Sequence, residues 1–271
     1  MFTISRNGLD AISKELGVVS NNIANSGTTG FKRSRTEFVD IYSKALSNNK
    51  KSNRGLGALL QGTQKVMQQG APIMTGGALD LTISGRGFFV LSPKEGADPK
   101  FTRDGSFSLD ASGNLITTDG FQVAGYKRDE NDILDKSTAL PINIPLRITN
   151  SENKEVFLTS INIDSKGNIE TTYGLNNVVS RGQLALAKFR NESELQEKGA
   201  NTYQVTSKSG GQVLGEALSG SFGEILSGSL ESSNTNILNE MVTLLKTQHA
   251  FNGNARILQT SVDVTRRLIE S

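Results

Sequence analysis

The chain has 271 residues and a formal net charge of +2, with charges of both signs spread along it, so it lacks the basic footprint of a nucleic-acid-binding protein. It contains no cysteine, which excludes disulfides and thiolate metal sites. No apolar run reaches membrane-spanning length, and the first residues do not read as a signal peptide. We therefore expect no membrane insertion and no cleaved signal sequence.

The N-terminal segment has the apolar spacing of an amphipathic helix. Its apolar side chains alternate steps of three and four residues: Leu9, Ile12, Leu16, Val19 and Ile23. This spacing is typical of a helix that packs on another helix. Residues 25–27, Asn-Ser-Gly, tolerate the left-handed conformation of a C-cap, so we expect the helix to end near residue 24.

The segment after this helix is harder to assign. A short amphipathic stretch places Phe38, Ile41, Tyr42 and Ala45 on one face, and we assign it to the terminal helical part of the chain. The stretch from Ser47 to Gly62 is polar and contains glycine, which predicts a loop or an extended arm.

The middle of the chain has the period of β strands. Leu79 to Ile83 alternates, and residues 87–91 read as a buried strand. Residues 106–120 and 160–174 form an internal repeat, in which an alternating strand, an Asp-x-x-Gly turn and a second strand follow one another. We expect each copy to be a hairpin, in which the Asp side chain binds turn amides and the Gly takes a positive φ.

The C-terminal segment predicts the longest helix, from Asn236 to Ile269. Steps of three and four again connect the positions of its seam, in which Gln248 and Thr265 are the two polar entries. The apolar residues of the seam are Ile237, Met241, Leu244, Phe251, Ala255, Leu258, Val262 and Ile269. At 1.5 Å per residue this helix is about 50 Å long and the N-terminal one about 34 Å. We expect an antiparallel coiled coil of the two helices. The uncovered part of the longer seam packs either on the rest of the chain or, as we favour, on another copy.

Side chains suited to catalysis or metal binding are sparse. The single histidine, His249, has no cysteine or second histidine to join it, so we expect a structural or surface role and neither a metal site nor a cofactor. Asp80 interrupts an apolar strand, and we expect it to make a buried hydrogen bond or an ion pair, since a buried charge needs a partner. Arg103 and Arg86 are the two candidates. Nothing in the sequence indicates an enzyme.

Four stretches, taken together, resemble the rod and hook family of bacterial flagellar axial proteins. They are SNNIAN at 20–25 with TGFK at 29–32, LDL at 79–81 with GRGFF at 85–89, FTRDGSF at 101–107, and SGSLESSN at 227–234. They occur in the family's order and span nearly the whole chain. The resemblance marks these residues as structural parts of the family motifs: Asn22, Asn25, Gly30, Phe31, Asp80, Gly87, Phe88, Arg103, Gly105 and Asn234.

The resemblance implies an α+β subunit with a β-rich middle domain. The expected domains are 1–46 with 228–271 (terminal helices), 47–77 (linker or arm) and 78–227 (outer β domain). It also implies polymerisation through the helix seams into the tubular hook, because residues 29–40 and 220–223 most resemble the hook protein. The alternative is a rod protein of the basal body, since Leu140 to Phe157 is too short for the extra outer domain of hook proteins.

The implied partners are copies of the chain, neighbouring rod, hook-cap and hook–filament junction proteins, and the type III export machinery. The implied location is the bacterial flagellum, reached without a cleaved signal peptide. A competing class is a coiled-coil stalk that presents a β domain to a ligand, as in adhesins. Tubes seen by electron microscopy distinguish the first class from the discrete oligomers of the second.

Overall fold

The computed structural model describes residues 2–43, 54–92, 98–128, 139–149, 155–174 and 177–270. The chain forms two compact units. The helical unit comprises Met1–Ser26, Arg33–Val66 and Thr235–Ser271, and the β unit comprises Gly27–Lys32 and Met67–Asn234. Two terminal helices and a strand-rich middle confirm the α+β class. The three-part domain division expected from the sequence stays a prediction.

The helical unit contains both long helices. Helix α1 runs over Phe2–Ala24 and α2 over Ile237–Glu270, so both lie within one residue of the ends expected from the seams and caps. The side chain of Asn236 accepts a hydrogen bond from the backbone N–H of Asn239 at 3.2 Å, as an N-cap residue does. The helices contact each other, since Asn22 Nδ2 donates to Glu240 Oε2 at 3.2 Å.

The helical unit also contains a β hairpin where the sequence predicted a helical segment and an arm. Strand β1, Ser34–Ser43, pairs antiparallel with β2, Arg54–Lys65. The spacing of Phe38, Ile41 and Tyr42 is therefore not that of a helix face, and residues 54–62 are not loop. Register shifts interrupt the pairing at two points, which breaks the period-two pattern by which a strand is recognised. Ala45 and residues 47–53 lie outside the described residues.

The β unit contains the remaining strands. They are β3 (Pro72–Met74), β4 (Leu81–Ser84), β5 (Phe88–Leu91), β6 (Lys100–Thr102), β7 (Phe107–Leu109), β8 (Leu115–Thr117), β9 (Ala124–Tyr126), β10 (Leu140–Pro141), β11 (Arg147–Thr149), β12 (Glu155–Ile163), β13 (Asn168–Tyr173), β14 (Asn177–Leu184), β15 (Leu186–Lys188), β16 (Gln196–Glu197), β17 (Thr202–Gln204), β18 (Val213–Gly215), β19 (Glu224–Ser227) and β20 (Ser229–Glu231). A short 3₁₀ helix spans Glu192–Glu194.

Within the described residues, two six-stranded sheets form the centre of the β unit. Their strand orders are β10-β9-β14-β13-β12-β11 and β16-β17-β6-β5-β15-β18. Two further pairs join strands far apart in the chain, β19 with β4 and β20 with β3. The core is apolar: Phe88, Phe89 and Phe101 have no solvent exposure. The alternating strands predicted at 79–83 and 87–91 correspond to β4 and β5.

Both repeat hairpins form as the sequence predicts. β7 pairs with β8, and β12 with β13. In the first turn Asp110 Oδ1 accepts from the amides of Ser112 and Asn114 at 2.9 and 2.7 Å, and in the second Asp164 accepts from the amide of Lys166. The turn glycines, Gly113 and Gly167, have φ of 81° and 80°.

Candidate subunit interface

Helix α2 exposes many large apolar side chains. Each of the following has at least a third of its surface in solvent: Ile237, Leu238, Met241, Val242, Leu245, Phe251, Ile257, Val262, Val264, Leu268 and Ile269. Leu238 and Ile269 are 74% and 80% exposed. Monomeric proteins rarely leave apolar surface of this extent uncovered, so the helix surface has the composition of an association surface.

The exposed apolar surface continues onto other elements of the helical unit. Phe2 and Ile4 at the start of α1 are exposed, as are Phe38, Val39 and Leu59 in the hairpin. Two grooves flank Phe2, one lined by Ile257 and Val264 and the other by Val262 and Ile269. Apolar side chains therefore line open surface at this end of the helices.

The covered face of the helices includes polar side chains. On α2 only Glu240 and Thr247, at 6% and 4% exposure, are buried among the described residues, and on α1 the buried residues are Ser5, Ala11, Val19 and Asn22. On α2 the fully buried residues thus lie on a different stripe of the helix from the apolar seam predicted from the sequence. A helix can bury a polar stripe only when its polar atoms find partners.

Asn22 and Glu240 are the most fully bonded members of this covered face. Besides its bond to Glu240, Asn22 Nδ2 donates to the carbonyl of Ser34 at 2.9 Å, and Asn22 Oδ1 accepts from the amide of Ser34 at 2.9 Å. Arg33 donates to Glu240 Oε1 at 3.4 Å. Asn22 therefore joins α1, α2 and the start of β1.

Glu15 lies on α1 seven residues from both Gly8 and Asn22. It is half-buried, and partial burial raises the pKa of its carboxyl, because desolvation disfavours the charged form.

The predicted seam residues divide into two groups. Val19 is buried, and Leu9, Ile12, Leu16, Ile23, Leu244 and Leu258 are half-buried. Ile237, Met241, Val262 and Ile269 are exposed, and Phe251 is 36% exposed. The role of both groups in subunit contacts stays a prediction.

A buried ion cluster lies in the β unit, among Lys32, Arg103 and Glu231, which are 0%, 3% and 1% exposed. Lys32 Nζ is paired with Glu231 Oε1 and also donates to the carbonyl of Gln68 at 2.9 Å. Arg103 lies 3.5 Å from Glu231 Oε2 and donates to the carbonyl of Gly85 at 3.0 Å.

Desolvation and the Glu231 carboxylate shift the pKa values of the two cations of this cluster in opposite directions. Burial lowers the pKa of Lys32 and of Arg103, and Glu231 opposes this. Burial also raises the pKa of the neighbouring Tyr203 phenol. One carboxylate thus pairs with two buried cations, and removing it takes the closest opposite charge from both.

Several motif residues surround this cluster. Gly30, with φ of 65°, donates its N–H to the carbonyl of Glu231 at 2.8 Å, and a Cβ there would lie 2.6 Å from the amide nitrogen of Asp104. Phe31 and Phe88 are buried, and the Arg103 guanidinium lies 5.0 Å from the centre of the Phe88 ring. Asn234 Nδ2 donates to the carbonyl of Gln68 at 2.9 Å.

Three other motif residues have local backbone roles. Asn25 Nδ2 donates to the carbonyl of Asn21 one turn earlier, at 3.0 Å. Gly105 packs so closely on Leu81 that any Cβ would overlap its carbonyl oxygen, and Gly87 has φ of 139°.

Asp80 makes a hydrogen bond, one of the two expected alternatives, but its partner is neither of the arginine candidates and its site is not buried. Asp80 Oδ2 accepts from Thr75 Oγ1 at 2.5 Å, whereas Arg103 pairs with Glu231. Asp80 is only half-buried, so its charge keeps contact with water and a hydroxyl suffices as its partner. Sequence reasoning missed Glu231 and Lys32 as the centre of the buried cluster. The available signal was their position inside two motifs that otherwise contain small and apolar residues.

His249 is exposed on α2. The described residues contain no group of three acidic, histidine or cysteine side chains placed to hold a metal ion. In the same part of the chain, no helix has the length and apolar composition needed to cross a membrane.

One unit has helices that expose large apolar side chains, and the other has a closed apolar core. This combination is that of a structural subunit that associates through its surface. Three family models match the chain: "Flagella basal body rod protein" over residues 2–32, "Flagellar hook protein FlgE/F/G D1 domain" over 82–171, and "Flagellar basal body rod FlgEFG protein C-terminal" over 226–270. The chain belongs to this flagellar rod and hook family, a family of structural proteins of the bacterial flagellum and not of enzymes.

Relatives with curated names match over different lengths. The flagellar basal-body rod protein FlgG of Buchnera aphidicola (subspecies Acyrthosiphon pisum) is 33% identical over 98% of this chain and 96% of its own length. FlgG of Agrobacterium fabrum is 31% identical over 95% and 94%. The flagellar hook protein FlgE of Helicobacter mustelae is 42% identical, but over 45% of this chain and 30% of its own length.

Proposed function

We propose that the chain is a rod protein of the flagellar basal body, which polymerises into a tubular segment of the axial structure. The relatives named as rod proteins support this choice, because they align with the chain from end to end. The hook function expected from the sequence has weaker support, since the hook relative aligns over less than a third of its own length. It stays the second candidate because its aligned part has the higher identity, 42%.

The two helices form an antiparallel coiled coil in this proposal. Two contacts support the direction. Asn22 of α1 bonds to Glu240 of α2, and a Cβ on Gly8 would lie 3.5 Å from the Asn254 side chain. Moving fourteen residues back along α1 thus moves the contact fourteen residues forward along α2, as antiparallel helices require.

The exposed apolar surface of α2 is the observation that carries the proposal. The helix has 34 residues and α1 has 23, so about 16 Å of α2 extends past its partner. Full burial of one aliphatic side chain contributes about 1.5–3 kcal/mol. Eleven exposed apolar residues therefore provide enough free energy to order the helices when copies associate.

Contacts between copies are head-to-tail in the proposal, because such heterologous contacts do not close and so build a helical tube. The other proposed partners are neighbouring rod, hook-cap and hook–filament junction proteins and the type III export machinery. The proposed route to the flagellum uses no cleaved signal peptide. The adhesin-like stalk has no support in the family comparison.

An assembly assay tests the proposal. Leu245→Asp places a charge on an exposed apolar position of α2 (56% exposed), and Gln259→Asp places the same charge at an exposed polar position of the same helix. We expect electron micrographs and sedimentation to show no tubes for Leu245→Asp and normal tubes for Gln259→Asp. The far-UV circular dichroism spectra of the two variants should be the same, which shows that both chains are folded. Normal tubes from Leu245→Asp overturn the proposal.

Complementation separates rod from hook. The chain is expressed in a strain that lacks its own distal rod protein and in one that lacks its hook protein. We expect motility to return in the first strain alone. Rescue of the second strain alone supports the hook as the function.

A further inference from the structure

The covered face of the helix pair has a polar residue at every seventh position. On α2 these are Glu240, Thr247, Asn254 and Ser261, all buried or half-buried. On α1 the matching positions are Gly8, Glu15 and Asn22, also covered at least in part. Since a heptad returns to the same face of a packed helix, each set forms one stripe.

The contacts between the stripes fix how they are aligned. Asn22 meets Glu240 and Gly8 meets Asn254, which places Glu15 opposite Thr247. Beside this stripe the same alignment places Val19 near Leu244 and Ile12 near Phe251. A shift of seven residues keeps these contacts apolar, because Ile12 then meets Leu244 or Leu258 and Val19 meets Ile237 or Phe251. Apolar exchanges of this kind cost less than the burial of an unpaired polar group.

The polar stripe does not accept either shift. In one direction Glu15 moves opposite Glu240, and two carboxylates then share a covered site, which like charges oppose. In the other direction Asn22 moves opposite Thr247. Glu240 then loses one of its two side-chain donors, the other being Arg33, and a covered carboxylate that loses a hydrogen bond costs free energy.

We propose that Asn22 and Glu240 set the register of the two helices and that Glu15 excludes one of the shifted registers. The inference rests on the antiparallel pairing of the proposed function and adds to it the residues that select one alignment. A single buried polar residue is a well-attested means of fixing register in coiled coils. Register decides which apolar residues of α2 extend past α1, so these three residues determine the surface offered to the next copy.

Disulfide trapping tests the inference, because the chain has no native cysteine. Gly8→Cys with Asn254→Cys reports the native register, and Gly8→Cys with Thr247→Cys reports the shifted one. Each pair is introduced into the full chain and oxidised in assembled tubes, and crosslinking is measured on non-reducing gels. With Asn22 and Glu240 present we expect the 8–254 pair to crosslink at least about tenfold more than the 8–247 pair, a ratio consistent with hydrogen bonds to a charged group.

Two variants change the residues that meet between the helices. In Asn22→Leu/Glu240→Leu the amide and the carboxylate are replaced together, so neither faces an apolar partner across the helices, although the Ser34 backbone loses its bonds to Asn22. We expect the ratio to fall towards one. Asn22→Asp places two carboxylates together in the native register and should lower the ratio as well. Adding Glu240→Gln to Asn22→Asp should restore it, because the pair again combines an amide with a carboxylate.

The experiment distinguishes a failure of the register inference from a failure of the proposed function. Tubes that keep the tenfold ratio in both the double-leucine and the Asn22→Asp chains overturn the register inference and leave the rod proposal intact. Absence of 8–254 crosslinks from otherwise unsubstituted tubes contradicts the antiparallel pairing itself, and with it both proposals.

Discussion

The two units of this molecule distribute polar and apolar side chains in opposite ways. The β unit buries Phe88, Phe89 and Phe101 completely. The long helices of the other unit bury Glu240, Thr247, Ser5 and Asn22 while Leu238 and Ile269 remain exposed. The β unit therefore completes its core within one chain. The helical unit has apolar surface left over, which associated copies bury in the proposed function.

The largest expected effect concerns the buried ion cluster of the β unit. Lys32→Met removes the cation that is paired with Glu231 and should lower the free energy of unfolding by about 3–5 kcal/mol, the usual cost of breaking a buried pair from one side. Urea unfolding followed by circular dichroism measures it. The control is Lys198→Met at an exposed position, expected within about 0.5 kcal/mol. Equal stability of the two variants contradicts the structural role of the cluster.

The next effect compares one leucine from each unit. Leu184→Ala empties a fully buried site in the β unit and should cost about 2–5 kcal/mol. Leu245→Ala removes a side chain that is 56% exposed and should cost less than about 0.5 kcal/mol in the free subunit. Equilibrium unfolding of unassembled protein gives both numbers. A large cost at Leu245 in that state would show that the helical unit has its own closed core.

A smaller effect concerns helix glycines. Gly17 and Gly253 have open space where a Cβ would stand, so Gly17→Ala and Gly253→Ala should each stabilise their helix by about 1 kcal/mol through propensity alone. Thermal unfolding monitored at 222 nm detects the gain. Gly105→Ala is the contrasting variant, because its Cβ would overlap the Leu81 carbonyl, and we expect it to lower the stability of the β unit instead of raising it. Loss of helix in Gly17→Ala contradicts the exposed placement of that residue.

The smallest effect is a pH dependence of helix pairing. Burial raises the pKa of Glu15 above its ordinary value of 4.5, so the folded state holds this proton more tightly than the unfolded state does. Stability from Glu15 is therefore lost as the pH rises from the ordinary value through the raised one. Glu15→Gln should flatten the melting temperature between about pH 4 and pH 7. Asp263→Asn, exposed on α2, should leave the slope unchanged, and a matching change there contradicts this assignment to Glu15.

Local signals were sufficient for the elements that depend on local chemistry. The bounds of α1 and α2 follow from apolar spacing and caps, and the turns at Asp110 and Asp164 follow from one side chain binding its own turn. These features involve residues within one or two turns of each other, so a single sequence contains their whole cause.

Contacts between residues that are far apart in the chain could not be predicted from the sequence. Strand β2 is rich in glycine and polar residues and forms because β1 pairs with it, which propensity does not reveal. The phase of the helix contact was likewise hidden, because hydrophobic periodicity selects the apolar stripe, whereas Asn22 and Glu240 lie on the polar one. The carboxylate partner of Arg103 is 128 positions away, too far for any spacing rule.

The strands that finish the β unit come almost last in the chain. β3 pairs with β20, where Ile73 lies opposite Leu230, and β4 pairs with β19, where Ile83 lies opposite Ile225. The partner strands are thus about 140 to 160 residues further along the chain. A polypeptide that emerges N-terminus first therefore keeps two strand edges open until nearly its whole length is available. Local hairpins form within microseconds. The pairing of β3 with β20, in contrast, cannot be complete until residue 231 has emerged.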